Sequence, residues 1–514
     1  MGRGDNTPVV LGVDIGTTST KVVAFSAGAG GTPRARAEFG YPLLESGHGR
    51  AEQDPAAILA AVASTIKETG QAAGAQVAGL SFSSAMHSLL ALGESGEPLT
   101  PSIVWADTRA VPQAERLRAH PSGLGLHQRT GTPVHPMSPL TKLIWFREQD
   151  TAIFEAARMW AGIKDFVFHH LTGEWVMDHS CASGTGLMEL ATLDWDREAL
   201  GLAGIGADRL PRLVPSTHVS ELTAQAAAEL GLPAGTPVVA GGGDGPLANL
   251  GLGAVRPGVA ACSIGTSGAI RVVVEEPAVD PLGQVFCYAL TPGRWIVGGA
   301  INNGGVVLQW AEKALTPDFG EHGEKALLEL VASVPPGSDG LLMLPYLLSE
   351  RAPHWSALAR GAYVGLTNTH GRAHLVRAAL EGVCLQLAVV LRSVEAAGNE
   401  IREIRATGGF ARSPEWRQML ADALGMEIGF PKGQEGSSFG AALIGMEALG
   451  LIENIEVAAE LTSIESVVRP DPAAATTYRA LLPVFESLYD ALAPAFAELR
   501  ELDPLLSGSE VNGA

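Results

Sequence analysis

Basic residues are scarce in this sequence. Against 55 Asp and Glu there are only 35 Lys and Arg among 514 residues, which gives a formal charge of −20 at pH 7. Nucleic acids and anionic membranes are bound by clustered basic surfaces, so this balance argues against either as the general partner. An anionic ligand must therefore be held by backbone N–H groups, a few local cations or a metal ion.

Long apolar runs and paired cysteines are also missing. No stretch reaches about 18 consecutive apolar residues, so the sequence does not predict a transmembrane helix. The first residues, 1–6, lack the apolar core of a signal peptide. No Cys-x-x-Cys spacing occurs, which favours buried thiols in a reducing cytoplasm over a zinc site. The four cysteines are Cys181, Cys262, Cys287 and Cys384.

Several common catalytic motifs are absent: the Gly-x4-Gly-Lys-Ser/Thr phosphate loop, a Gly-x-Gly-x-x-Gly after a strand, and His-Glu-x-x-His. The segment 436–440 fits the Gly-x-Ser-x-Gly pattern of serine hydrolases. It does not follow a buried strand, however, and we interpret Ser437 or Ser438 as the N-cap of a helix that runs to Leu449.

The chain does contain a repeated hairpin. Val13-Asp14-Ile15-Gly16-Thr17-Thr18-Ser19 near the start is matched by Cys262-Ser263-Ile264-Gly265-Thr266-Ser267-Gly268. Each copy lies between two short apolar, strand-like runs, and the copies are separated by roughly half the chain. The simplest explanation of the repeat at half-chain spacing is two similar domains, each of which begins with this hairpin.

The tip of such a hairpin suits a phosphate group. Glycine lets the backbone approach a ligand, successive N–H groups can point into one concavity, and hydroxyl side chains add donors. Two tips could hold a polyphosphate between them, although each alone also reads as an ordinary tight turn. Only the first copy has a carboxylate, Asp14, where the second has Ser263, which indicates Mg²⁺ near the phosphates. Lys21 either faces the same anion or lies exposed.

Strands and helices alternate between and after the hairpins. Asp54-Pro55 predicts a helix start, with an apolar face that ends at Gly70. The segments 78–82, 102–106 and 237–240 read as short buried strands, each followed by polar groups or glycines. Later helices are predicted over 374–394 and from Ser413-Pro414 to Gly425. Ligand groups at the carboxyl ends of strands are typical of an open α/β sheet.

Asp244 is the acidic residue that we single out. It follows Gly241-Gly242-Gly243 at the end of an apolar strand, which would place its carboxylate at a loop tip. A carboxylate there can accept the proton of a substrate hydroxyl during phosphoryl transfer. The alternative is an aspartate that only satisfies the amides of its own loop.

Paired phosphate hairpins and a glycine-flanked acid resemble the actin-like ATPase superfold, and within it the FGGY carbohydrate kinases. The similarity covers about residues 9–480. Two family signatures fit at full length, one over 137–149 and the other over 361–381. The resemblance implies an α/β fold with two actin-like (ribonuclease H-like) domains, 9–250 and 251–497, and an active-site cleft between them. The segments 1–8 and 504–514 are expected to be flexible termini.

Finer features resemble the gluconokinases of this family: the segments 83–88, 105–109, 131–139 and 162–165. Xylulose kinases share the Met-His of the first segment and the Lys-Asp of the last. The segment from Thr132 to Pro139 therefore discriminates better between the two kinds of kinase. The implied reaction is ATP-dependent phosphorylation of D-gluconate at its 6-hydroxyl. The alternatives are a family kinase for a pentulose or polyol, a sugar-independent chaperone-type ATPase and a catalytically dead sugar sensor.

The resemblance also implies roles for residues. Asp14 would orient Mg²⁺, and Asp244 would be the general base. The phosphates would be cradled by Gly16, Thr17, Thr18, Gly265, Thr266 and Ser267. Nucleotide contacts would come from Gly305, Gln309, Gly408, Gly409 and Ser413, although many relatives carry Asn at the position of Ser413.

The sugar pocket would be lined by Met86, His87, Trp105, Asp107 and Arg109, with a core histidine as the alternative for His87. A carboxylated substrate also requires cations, for which Arg109 and Lys164 are favoured over the other candidates, His87, His135 and Lys142. The expected partners are therefore ATP and a small sugar acid, and a homodimer stays open.

Overall fold

The computed structural model describes residues 7–27, 31–47, 49–432 and 436–506. The strands are β1 (Val9–Ile15), β2 (Ser19–Ser26), β3 (Pro33–Gly40), β4 (Leu44–Ser46), β5 (Arg50–Gln53), β6 (Val77–Ser84), β7 (Leu90–Leu92), β8 (Ser102–Ile103), β9 (Met159–Ala161), β10 (Val176–Asp178), β11 (Met188–Glu189), β12 (Asp194–Trp195), β13 (Arg212–Val214), β14 (Val219–Glu221), β15 (Pro237–Gly243), β16 (Val259–Ile264), β17 (Gly268–Val274), β18 (Phe286–Thr291), β19 (Arg294–Ile301), β20 (Leu342–Leu344), β21 (Ala362–Val364), β22 (Glu403–Thr407), β23 (Ile428–Pro431) and β24 (Ile464–Val468).

The α-helices are α1 (Pro55–Ala72), α2 (Val111–Ala119), α3 (Gly123–Thr130), α4 (Pro139–Gln149), α5 (Thr151–Ala156), α6 (Ile163–Thr172), α7 (His179–Ser183), α8 (Arg197–Ala203), α9 (Ala224–Leu230), α10 (Asp244–Gly251), α11 (Gly305–Leu315), α12 (Gly323–Ala332), α13 (Arg372–Ala396), α14 (Pro414–Leu424), α15 (Gly436–Ala448), α16 (Ala458–Leu461) and α17 (Pro472–Leu506). Contacts group the chain into two units. The first comprises 1–259, 271–297 and 432–463, and the second comprises 260–270, 298–431 and 464–514.

A six-stranded sheet forms the centre of the first unit, in the order β14-β15-β6-β1-β2-β3. β1 pairs antiparallel with β2 and parallel with β6, and β6 pairs parallel with β15. One face is covered by apolar side chains of α1, among them Ile58, Val62 and Ile66, which are almost fully buried. The carboxyl ends of β1, β6 and β15 therefore meet at one edge of this sheet.

The chain returns to this unit late in the sequence. α15 packs on β1, β6 and α10, and Phe439 lies 5.0 Å from the ring centroid of Phe25. Both faces of α15 are apolar and largely buried, so the helix needs partners on two sides. The expected domains were contiguous and met at residue 250, whereas the contact units are discontinuous in sequence.

The first unit also includes the segment 271–297, with β18, the greater part of β17 and the first half of β19. In the second unit, the strands β16, β22, β23 and β24 follow one another in that order. β22 and β23 are parallel, and β24 closes the edge antiparallel to β23. The long helix α13 lies in the interior of this unit, against α11, α12, α14 and β20.

Most predicted elements are present, with shifted ends. Asp54 caps α1 by accepting a hydrogen bond from Ala56 N at 2.9 Å, and α14 begins after Ser413 and ends before Gly425. The strand expected over 102–106 stops at Ile103, because Asp107 N bonds to Val104 O in a turn. α17 continues to Leu506, into the expected flexible terminus, since adding residues to a formed helix costs little. The expectations for 1–6 and 507–514 lie outside the described residues.

Within the described residues, two helices are long and apolar enough to cross a membrane by length and composition alone. In α13 the most apolar window is 89% buried within the protein, as in a core helix of a globular domain. In α17 the corresponding 18-residue window, which lies within 472–502, is 17% buried.

Candidate active site

The tip of the first hairpin is braced from within its own unit. Gly16 N donates to Ser19 O at 2.9 Å, which closes the turn between β1 and β2. The Tyr41 hydroxyl donates to Gly16 O at 2.7 Å, and Gln53 Nε2 donates to Thr17 O at 2.6 Å. Burial raises the pKa of Tyr41 to about 12, so its hydroxyl stays a donor. The tip is therefore fixed through its carbonyls, and Thr18 is exposed.

Asp14 ends β1 next to this tip. Its two carboxylate oxygens each accept a serine hydroxyl, Ser83 Oγ at 2.7 Å and Ser437 Oγ at 2.7 Å. α15 begins at Gly436, so Ser437 and Ser438 both lie within its first turn and neither is the helix cap that the sequence predicted. The hydroxyl of Ser437 is instead used by Asp14. Such a hydrogen-bonded carboxylate is the kind of ligand that Mg²⁺ uses together with phosphates and water. In the described part of the chain, no cluster of three or more His, Cys, Asp or Glu could hold a metal ion.

Asp244 lies at the same edge of the sheet. β15 runs directly into α10, so Asp244 is the first residue of a helix and not the tip of a loop as predicted. Its Oδ1 accepts Gly245 N at 2.7 Å. In the sheet register, Asp14 and Gly242 both lie opposite Ser83. Two strand spacings of about 4.8 Å thus put the strands that carry the two carboxylates about 10 Å apart.

Met86 and His87 follow β6, and Met86 lies beside Gly243. A Cβ atom on Gly243 would come within 2.6 Å of Met86 Sδ, so the strand before Asp244 packs directly on the methionine. His87 has a left-handed backbone (φ 68°), and its Nδ1 lies 2.6 Å from Gly184 O. Such a geometry fixes a proton on Nδ1. A strained backbone at a histidine is typical of a functional position.

Trp105 connects the expected sugar-binding segment to the phosphate hairpin. Its Nε1 donates to Thr17 Oγ1 at 3.1 Å. The two predicted groups, one for sugar and one for phosphate, are thus brought together within the first unit.

Asp107 and Arg109 form a buried ion-pair cluster with Glu52. Arg109 donates to both oxygens of Asp107, at 2.9 and 2.7 Å, and to Glu52, which the sequence analysis did not identify. Burial acts to lower the pKa of Arg109, but these two carboxylates outweigh it and raise that pKa. The Arg109 side chain is 5% exposed. The cluster therefore holds the Trp105–Arg109 segment in place.

Lys164 is also used internally. It forms an ion pair with Asp178 and donates at 2.7 Å to the carbonyl oxygen of Ala240, a residue of β15. Although burial acts to lower it, the Asp178 carboxylate raises the pKa of Lys164 above its usual range. Arg109 and Lys164 were the favoured cations for a substrate carboxylate. Their burial and their carboxylate partners instead favour supporting roles for both.

The tip of the second hairpin packs on a helix start within the second unit. Gly265 N donates to Ser267 O at 2.8 Å, which makes this turn one residue tighter than that of the first hairpin. Gly305 N, at the start of α11, donates to Gly265 O at 2.6 Å. A Cβ atom at position 305 would lie 2.7 Å from Gly265 O, so this close approach requires glycine. Gln309 is exposed one turn further along α11.

The expected adenosine segment lies beside the same hairpin. Gly408 has φ 116°, and a Cβ there would lie 2.1 Å from Ile264 O. Ser413 caps α14 by accepting Trp416 N at 3.1 Å. Ser413 also lines a cavity of about 520 Å³, a size that suits a small ligand. Its other lining residues are Glu324, Lys325, Leu328, Glu329, Arg412, Pro414 and Glu415.

Comparison with known proteins defines the family. The model for the N-terminal domain of the FGGY family of carbohydrate kinases matches residues 9–251, and that for the C-terminal domain matches 260–449. The chain belongs to the FGGY family of carbohydrate kinases. It is thus an enzyme, a phosphotransferase with the two-domain FGGY fold, as the sequence motifs predicted.

Individual FGGY kinases are similar over nearly the whole chain. A gluconokinase of Bacillus subtilis is 41% identical over 96% of this chain and 98% of its own length. The structure of a gluconate kinase from Lactobacillus acidophilus superposes with a TM-score of 0.92 at 35% identity, covering 96% of this chain and all of the other. A ligand-bound xylulose kinase structure from the same organism gives the same TM-score, identity and coverage.

Proposed function

We propose that this FGGY kinase transfers the γ-phosphoryl group of ATP to the 6-hydroxyl of D-gluconate. The observation that carries the proposal is the shared sheet edge in the first unit. There Asp14, Asp244 and the Met86-His87 segment converge from β1, β15 and β6. The 41% identity to a gluconokinase supports gluconate as the acceptor.

Asp244 is the general base of the proposed reaction. Its carboxylate takes the proton of the 6-hydroxyl while that oxygen bonds to the γ-phosphorus, and the bond from the γ-phosphorus to the bridging oxygen of ADP breaks. Asp244 lies at the start of α10, and the hydrogen bond from Gly245 N to its Oδ1 orients the carboxylate.

Asp14 is the residue that would hold Mg²⁺. Bound there, Mg²⁺ would neutralise phosphate charge during transfer. Ser83 and Ser437 hold the two carboxylate oxygens of Asp14 in a fixed orientation. Asp14 would otherwise repel the phosphates, so its hydroxyl partners and the cation together make the site suitable for ATP.

The two hairpins and the cavity at Ser413 are proposed to bind the nucleotide. The tip 16–18 and the tip 265–267 would donate N–H and hydroxyl groups to the phosphates. The cavity of about 520 Å³ would take the adenosine. We accordingly propose a catalytic domain over 9–250 and a nucleotide-binding domain over 251–497.

A pentulose is the second candidate acceptor. It is favoured by one observation, the ligand-bound xylulose kinase structure that matches as well as the gluconate kinase structure does. A coupled assay at fixed ATP, with gluconate, xylulose, ribulose and glycerol as acceptors, decides between them. We expect the highest kcat/KM with gluconate. A clear preference for a neutral sugar would overturn the proposed substrate, and full ATP turnover without any sugar would overturn the kinase assignment itself.

A further inference from the structure

Lys142 is a buried cation that the proposed mechanism does not use. It lies on α4, its side chain is fully buried, and its Nζ donates to three backbone carbonyls. The acceptors are His87 O at 2.7 Å, Val104 O at 2.9 Å and Ile103 O at 3.4 Å. An ammonium group has three N–H donors, so the acceptors match its full capacity.

This arrangement is costly for the fold. Burial lowers the pKa of Lys142 to about 7 despite the opposing charge of Asp107. A methionine of similar length would fill the same space without any desolvation of charge. This desolvation cost indicates that the three hydrogen bonds of Lys142 have a role that an apolar side chain cannot fill.

The carbonyls that Lys142 holds belong to the two sugar-pocket segments. His87 has the left-handed backbone described above, and Val104 directly precedes Trp105. Trp105 in turn donates to Thr17 in the phosphate hairpin. One ammonium group therefore links the strained turn after β6 to the segment that contacts the hairpin.

Other charged groups lie close to this ammonium group. Arg109 pairs with Asp107 and Glu52, and Arg50 lies 4.0 Å from the same Glu52. The charge of Asp107 opposes the fall in the pKa of Lys142 that burial causes, and the charge of Arg109 adds to it.

We propose that Lys142 is a positioning residue for sugar recognition, which holds the His87 and Val104 carbonyls so that both pocket segments keep their binding geometry. The proposal deepens the proposed sugar-kinase function and rests on it. It requires only that the enzyme phosphorylates a sugar, and the acceptor used in the test is whichever one the wild-type enzyme phosphorylates fastest. A failure of gluconate as substrate is thus distinguishable from a failure of Lys142 as positioning residue.

The test is the kinetic comparison of Lys142→Met with wild type. We expect the KM for the sugar to rise at least about tenfold, the scale of one lost charge-assisted hydrogen bond, while the KM for ATP stays within about twofold. Lys67→Met, on the exposed side of α1, is the matched control and should leave both KM values unchanged.

A purely structural role would instead lower the amount of active enzyme without changing either KM. An unchanged sugar KM, or equal increases for sugar and ATP, in soluble Lys142→Met would overturn the proposal. If that variant does not fold, Lys142→Arg keeps the charge but replaces the three-fold donor by a planar one. It should raise the sugar KM at least about threefold, the lower part of the range for one hydrogen bond, with the KM for ATP unchanged. An unchanged sugar KM in this variant would also overturn the proposal.

Discussion

Asp244 carries the proton transfer in the proposed reaction, so its substitution should affect turnover and not nucleotide binding. Asp244→Asn keeps the size of the side chain and removes its basicity. We expect kcat to fall by about 10²-fold or more, the scale of losing a general base. The measurement is a coupled assay, with ATP affinity determined by calorimetry.

The matched control is Asp208→Asn, an exposed aspartate at the first turn of a short helix elsewhere in the first unit. It should retain wild-type kcat. A turnover within a few-fold of wild type in Asp244→Asn would show that another group accepts the proton.

Ser437 should matter through Asp14. Its hydroxyl bonds to one carboxylate oxygen at 2.7 Å, and loss of such a supporting contact commonly lowers metal affinity by about 10-fold or more. We expect Ser437→Ala to raise the Mg²⁺ concentration needed for half-maximal rate and for calorimetric binding of ADP. Ser437→Thr keeps the hydroxyl and should restore most of the affinity. The same Mg²⁺ dependence in wild type, Ser437→Ala and Ser437→Thr would show that Ser437 does not support Mg²⁺ binding.

At the scale of residues, the sequence was informative where chemistry depends on neighbours in the chain. Asp14 and Asp244 were singled out because hairpin and glycine patterns surround them, and the structure places both at one edge of the same sheet. Ser437 was noticed but misread as a helix cap, because its partner lies 423 positions away and no local pattern reveals that contact. The pairing of Arg109 with Glu52 was missed for the same reason, since an arginine alone does not show which acid it meets.

At the scale of elements, a buried histidine on α3 should make the fold sensitive to acid. His127 Nε2 bonds to Val285 O at 2.8 Å, and burial lowers the pKa of His127 to about 4 from the usual 6.5. Between pH 6.5 and 4, His127 is protonated in the unfolded chain but stays neutral in the folded chain. Stability is thus lost as the pH falls from 6.5 towards 4, by up to about 3 kcal/mol.

His127→Gln removes this titration and keeps an N–H donor for Val285. Its free energy of unfolding, measured by urea denaturation between pH 7 and 5, should fall less steeply with acid than that of wild type. His170→Gln, a variant of a partly exposed histidine on α6, should keep the wild-type slope. Parallel curves for His127→Gln and wild type would contradict the prediction.

Helices and strands were predictable where local signals mark both ends. α14 is the clear case, because Ser413-Pro414 starts it and Gly425 ends it. The strand over 102–106 was overextended, since the turn that ends it depends on hydrogen bonds to Ala51 and Gly49 from a distant segment. The run of β15 into α10 was also missed, because three glycines favour a loop when their neighbours in the sheet are unknown.

At the scale of the whole molecule, the repeated hairpin predicted two related halves but not how the chain is shared between them. α15 and the segment 271–297 join the first unit because their apolar surfaces pack there, and sequence position gives no sign of this. The charge of −20 also proved compatible with anionic ligands. The candidate site combines the carboxylates Asp14 and Asp244 with backbone N–H groups and hydroxyls at the hairpin tips, so the net charge of the molecule does not describe it.

The two hairpins should bind one nucleotide together. If so, calorimetric titration of the enzyme with Mg²⁺ and ATP gives one site per chain. Thr18→Val and Thr266→Val each remove one exposed hydroxyl, at the tips of the first and second hairpin, and each should weaken binding by about 10-fold, the scale of a hydrogen bond to a charged group. Thr192→Val, an exposed threonine in a turn of the first unit, is the control. Separate nucleotides at the two hairpins would give two sites per chain, and each substitution would then weaken only one of them. If the repeated hairpin serves to bind a single polyphosphate, we expect one site per chain, and both substitutions should weaken binding at that site.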